Sequence, residues 1–182
     1  MIMAEKQITG YHGTSREAAD QILESKIFNN SSRKYEWLGN GVYFFKYYDH
    51  AKKWITHDRF ISHKTAILQA LLTYSDDQLL DLDDPSAHEL FEQVVKEMLE
   101  KTDFLDKPYG FVNGRPKSDK ELQHRRCIAC NYFRQIFPEI GIIMYTFPMS
   151  KRHTSCNLYP YNQCQICVYD RSIISDIKEA RV

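Results

Sequence analysis

The 182-residue sequence predicts an α+β fold in one domain covering residues 1–182. Three observations carry this reading. Short alternating or apolar segments beside glycine turns are interspersed with segments whose apolar residues recur every three or four positions. No internal repeat, low-complexity tract or linker divides the chain. The length, with 43% hydrophobic residues, suffices for a buried core.

Gln7 to His12 alternates and runs into Gly13, which reads as a short strand ending in a turn. Thr14 or Ser15 then offers an N-cap, and Ala18, Ala19, Ile22 and Leu23 fall at helical spacing, so Arg16 to Lys26 is a short amphipathic helix. Asn29 to Glu36 reads as a polar loop. Gly41-Val42-Tyr43-Phe44-Phe45, entered through Gly39 and Asn40, reads as a buried strand. Asp49 is placed to cap a second helix carrying Ala51, Trp54, Ile55 and Asp58. Ala66 to Tyr74 is apolar and fits strand or helix, ended by Ser75-Asp76-Asp77. Ser86 is expected to cap a long helix through about Thr102, with Leu90, Phe91, Val94, Val95, Met98 and Leu99 on one side. Lys107 to Asp119 contains Pro108, Gly110, Gly114 and Pro116 and reads as a loop. Lys120 to Phe137 is a further helix, stopped by Pro138. Ile142 to Phe147 and Cys164 to Tyr169 are strands separated by a long polar loop.

Lys+Arg 24 against Asp+Glu 24 gives a net charge of zero, so no bulk field draws the molecule to nucleic acid or an anionic membrane. No stretch approaches the roughly 18 apolar residues of a membrane span. The opening MIMAEKQITG has neither a basic nor an apolar leader region, so the expected location is cytoplasmic, without membrane contact. Charge is nevertheless uneven. Asp76 to Asp106 holds eleven acidic and two basic residues, and Lys107 to Arg134 seven basic and two acidic. Lys117, Lys120, His124, Arg125, Arg126 and Arg134 form a basic loop and helix there. It reads either as a solvated face that neutralises the acidic stretch or as a groove for a phosphate-bearing partner.

The most informative text is Tyr11-His12-Gly13-Thr14, a helix with Ile22-Leu23, then Leu38-Gly39-Asn40-Gly41-Val42-Tyr43-Phe44-Phe45, then Ala51 and Trp54. In order, spacing and expected secondary structure this resembles the poly- and mono-ADP-ribosyltransferase superfamily of the PARP-like, H-Y-E type. The likeness covers about the first third of the chain and returns near the C-terminus. It implies a fold in which two small, mostly antiparallel sheets flanked by helices clasp NAD. It also implies that His12 hydrogen-bonds the adenosine ribose, that Gly13 pairs with the nicotinamide carboxamide, that Thr14 completes the motif, and that Tyr43 and Trp54 hold the nicotinamide ring. A residue without Cβ lets the backbone approach a flat carboxamide closely, and aromatic faces suit a flat ring.

The family's third element is an acidic residue opening a late strand. Asn162-Gln163-Cys164-Gln165-Ile166-Cys167-Val168 lies in that place, with Gln165 at the position of the catalytic Glu. Cleavage of the ribose–nicotinamide bond passes through an oxocarbenium-like transition state, as glycoside hydrolysis does. A Gln amide oxygen keeps a hydrogen bond to the ribose and gives up the charge.

The resemblance thus implies an enzyme, a mono-ADP-ribosyltransferase with NAD as substrate, in which His12, Tyr43 and Gln165 are the catalytic set and polymer formation is not expected. The acceptor is a protein side chain or a nucleic acid. Small soluble members of the superfamily often act as toxins or in phage–host conflict, which implies an antitoxin or inhibitor protein as a partner. Two other readings stand beside it: a non-catalytic NAD or ADP-ribose binding module, which Gln165 favours, and a phosphate-removing RNA enzyme on a related fold.

Cys127-Ile128-Ala129-Cys130 and Cys164-Gln165-Ile166-Cys167 have the spacing of zinc ligands. The first pair falls in a helix and the second in a strand, where positions three apart point to opposite faces, so reduced thiols and no metal are expected.

Overall fold

The computed structural model describes residues 5–56, 64–101, 111–112, 115–116, 119–149 and 162–180. The chain runs β1 (Lys6–Ser15), α1 (Arg16–Ser25), β2 (Val42–Phe45), α2 (Tyr48–Ile55), β3 (Thr65–Tyr74), β4 (Leu79–Asp81), α3 (Pro85–Lys101), β5 (Phe111–Val112), β6 (Arg115–Pro116), α4 (Asp119–Ile136), β7 (Ile142–Pro148), β8 (Asn162–Val168) and β9 (Ile174–Glu179). This is an α+β architecture. Seven strands form one mixed sheet in the order β4-β7-β8-β2-β1-β3-β9, in which only β4 and β7 run parallel, and β5 and β6 form a two-stranded ribbon.

The expectation of two separate sheets is therefore corrected, and the reason lies at one residue pair. β1 is zipped to β3 over ten consecutive positions, and β2 to β8 over four, but β1 and β2 meet only at Tyr11↔Phe45. Beyond that pair the Nδ1 of His12 bonds the Tyr43 carbonyl at 2.7 Å, occupying the acceptor that the next rung of a β1–β2 ladder would use. The sheet stays continuous at Tyr11 and divides past it.

Alternation along the strands sorts side chains onto two faces. Cys164, Ile166 and Val168 join Phe44, Leu68, Leu72 and the α1 residues Ala19 and Ile22 in one core, while Cys167 joins Leu80, Phe91, Ala129, Cys130 and Phe133 in a second core beneath α3 and α4. A third, smaller cluster of Phe45, Ala51 and Ile67 seats α2 against the sheet.

Several local expectations change. Gly13 is not a turn: β1 continues to Ser15, because the Thr65–Tyr74 segment, ambiguous by composition, is a strand that pairs with it throughout. Ser15 is the N-cap of α1, accepting from the Ala18 amide at 3.3 Å, and Lys26 closes that helix in the left-handed region. α2 begins at Tyr48 with Asp49 inside its first turn rather than at its cap, and Asp58 lies outside the described residues. Asp84, not Ser86, caps α3, its carboxylate accepting from the Ser86 and Ala87 amides at 2.9 and 3.0 Å. β4 and β9 form at segments with no expected element, and β5 and β6 interrupt the expected 107–119 loop.

Candidate functional site

Where β1 and β2 part, the structure has a cleft of about 490 Å³ lined by His12, Gly13, Thr14, Tyr43, Trp54 and Gln165. All six residues singled out from the sequence, from four secondary-structure elements, thus border one space. Strand geometry orients them. The Arg16 amide bonds the Lys64 carbonyl at 2.7 Å, and the β1–β3 register is unbroken. Hydrogen-bonded pairs alternate along an antiparallel ladder, so Thr14 and His12 direct their backbone groups to β3, whereas Gly13 turns its N–H and C=O to the β2 side, into the parting.

Gly13 is also needed for packing. A Cβ there would lie 2.7 Å from Ile55 Cγ2 and 2.9 Å from the Ala51 carbonyl, so α2 seats directly on the strand. That close seating carries Trp54 to the cleft, its ring centroid 5.9 Å from that of Phe45. On the other face His12 packs edge-on against Phe28 and Phe44, at 5.1 and 5.9 Å between ring centroids.

Tyr43 is anchored at its hydroxyl. It donates to the Gly39 carbonyl and accepts from the Leu38 amide, both at 2.7 Å, and burial raises its pKa far above the ordinary phenol value. The neutral phenol therefore ties β2 to the preceding loop. Gln165, 4% exposed, sits beside Phe45 on β2 and Tyr145 on β7. Its Nε2 donates to Gln163 Oε1 at 3.0 Å, a pairing that the strand period allows because both side chains leave the same face.

The loop between α1 and β2 forms the remaining wall, with Ser31, Arg33, Glu36 and Trp37 on the cleft. Sequence reading treated it as a polar connection. Proximity to the Gly39–Tyr43 text was the available signal, since residues just before a motif strand border the same opening. The loop is closed by an Ser31↔Gly41 bridge and clamped from behind. Tyr169 donates to the Leu38 carbonyl, Asn131 Oδ1 accepts from the Asn40 amide at 2.8 Å, and Arg126 Nε donates to the Trp37 carbonyl at 2.7 Å.

Arg126 changes the reading of the basic helix. Its guanidinium lies 5.4 Å from the Trp37 ring centroid and 4.6 Å from that of Phe147, and burial lowers its pKa. His124 is also buried. These two groups face inward rather than forming part of an open basic groove, because Arg126 shares a helical stripe with Cys130 and Phe133. Lys117 lies outside the described residues.

The four described cysteines are unbridged and buried. Desolvation raises every one of these thiols, that of Cys130 to about 12. Cys164 and Cys167 belong to cores on opposite faces of the sheet, as the strand period requires. Among the described residues no three His, Cys, Asp or Glu side chains converge as metal ligands, and no helix is long and apolar enough to cross a membrane.

A second cavity of about 750 Å³ adjoins the cleft along α1 and shares His12, Thr14 and Asn29 with it. Gln21, Glu24 and Phe28 also line it.

No protein-family model matches the chain. An uncharacterized protein of Methanocaldococcus jannaschii is 32% identical over 99 residues, covering 52% of this chain and 46% of the relative. The chain thus matches less than half the length of that relative.

Proposed function

We propose that the parting between β1 and β2 is an NAD cleft and that the protein transfers single ADP-ribose units to a macromolecule, releasing nicotinamide. The observation that carries this reading is the backbone edge of Gly13. Its N–H and C=O face the parting, a donor and an acceptor matched to a carboxamide, while Tyr43 and Trp54 border the same space.

The ligand has two halves, and the two adjoining cavities suit it. The nicotinamide ribose occupies the cleft, the adenosine half lies along α1, and His12, common to both cavities, contacts the adenosine ribose where they meet. Departure of nicotinamide leaves positive charge on the ribose. The amide oxygen of Gln165, buried in the cleft wall, stabilises that sugar as a dipole. The acceptor is a protein side chain or a nucleic acid. The inward-facing Arg126 weakens the case for the latter, because it removes a cation from the surface of α4.

Free nicotinamide measured after incubation with NAD distinguishes transfer or hydrolysis from a binding module. Release is expected from the wild type. His12→Ala should abolish it with the circular dichroism spectrum retained, since His12 sits at the cleft. Release that persists in His12→Ala contradicts the assignment, and an NAD-dependent rise in melting temperature without release supports the binding module instead.

A further inference from the structure

We propose that Glu36 is a catalytic residue of this cleft and supplies, from its loop wall, the carboxylate that position 165 does not. The inference rests on the NAD reading above and adds to it a residue outside the three sequence motifs. Among the described residues the carboxylates lining the cleft are Glu17 and Glu36. Glu17 is exposed on the first turn of α1, whereas Glu36 is half-buried and lines the cleft together with Tyr43, Trp37 and Gln165.

Glu36 is also held in place. Its Oε1 accepts from the Ser31 hydroxyl, and Ser31 is fixed in turn by its amide bonding the Gly41 carbonyl at 2.8 Å. The next peptide carbonyl, that of Trp37, is gripped by Arg126, and the two after it by Tyr169 and Tyr43. Gly41, Arg126, Tyr169 and Tyr43 thus restrain a loop of no regular structure on either side of one acid. Charge stabilisation in a transition state depends on such preorganisation, because a group that must first reorient loses its advantage.

The ribose C1′–N bond breaks and both its electrons leave with nicotinamide, which becomes neutral. Glu36 offsets the positive charge spread over C1′ and the ring oxygen. The acceptor, water in the simplest case, forms a bond to C1′, and its proton passes to the Glu36 carboxylate and from there to solvent.

The test uses the full chain, with NAD as ligand and water as acceptor. Nicotinamide release over a series of NAD concentrations, and the NAD-dependent melting shift, are measured for wild type, Glu36→Gln, Glu36→Asp and Ser31→Ala. Glu36→Gln is expected to keep the melting shift and lose about 100-fold in release, the scale of one acid–base group. Glu36→Gln should lower release at saturating NAD while leaving the KM for NAD near that of wild type, a split that a purely structural role would not produce. Glu36→Asp and Ser31→Ala should lie between. Glu36→Gln with wild-type release overturns the assignment and leaves the transferase reading intact. NAD binding without release in any variant overturns both the transferase reading and the role of Glu36, and absence of binding and release overturns the NAD reading itself.

Discussion

Gly39 holds the wall of the cleft in a backbone conformation that other residues resist, and Gly39→Ala measures how far that wall depends on it. Its φ is +83°, and a Cβ would lie 2.2 Å from the Tyr169 hydroxyl oxygen and 2.6 Å from Asn131 Oδ1. Neither atom retreats without loss, because the first bonds the Leu38 carbonyl and the second the Asn40 amide. The positive φ costs alanine about 1–2 kcal/mol, and two displaced hydrogen bonds cost about 1 kcal/mol each. Alanine recovers roughly 0.5–1 kcal/mol by restricting the unfolded chain. A net loss of about 2–3.5 kcal/mol remains, and at roughly 2–4 °C per kcal/mol for a chain of this size Tm falls by about 4–14 °C. Thermal and urea denaturation read this directly. Asn131→Ala alone should cost about 1 kcal/mol. The double variant should cost less than the two together, because the clash and the hydrogen bond share Asn131 Oδ1. A Gly39→Ala protein within about 0.5 kcal/mol of wild type would refute the clamped-wall description.

Two further outcomes follow from single elements. Asp84→Ala removes the α3 cap and should cost about 1 kcal/mol in thermal denaturation, while Ser86→Ala leaves stability nearly unchanged. Cys130, raised by burial to about 12, keeps its proton in the folded state after the unfolded thiol has lost its own. Its contribution to stability is therefore whole below the unfolded thiol's pKa and lost as pH rises from there toward about 12. Denaturation midpoints should accordingly fall less steeply in alkali for Cys130→Ala than for wild type, and an identical slope contradicts the burial argument.

Residues whose environment is set by periodicity were legible in the sequence. The β2, β7 and β8 strands and all four helices follow from alternation, helical spacing and proline stops. Gly13, Tyr43 and Trp54 meet at one opening because β1, β2 and α2 pack as neighbours. What was not legible depended on tertiary pairing. Thr65–Tyr74 resolves to a strand through its ladder with β1, not through its composition. Leu79–Asp81 is too short to show a period, and Ile174–Glu179 is an edge strand with mostly exposed side chains. Glu36 and Ser31 lie on a loop, where no period tells which side chains turn inward. Arg126 was misread by its charge, although its spacing from Cys130 and Phe133 already placed it on the buried stripe of α4.

The central claim is that the parting of β1 and β2 accepts a dinucleotide, and calorimetric titration of the protein with NAD tests it most directly. One NAD per chain is expected, with binding weakened by about 10-fold or more in His12→Ala, roughly the loss of one buried hydrogen bond to the ligand. AMP alone should bind more weakly than NAD and compete with it, since it fills only the cavity along α1. Absence of binding at millimolar NAD, or equal binding by wild type and His12→Ala, would contradict the account.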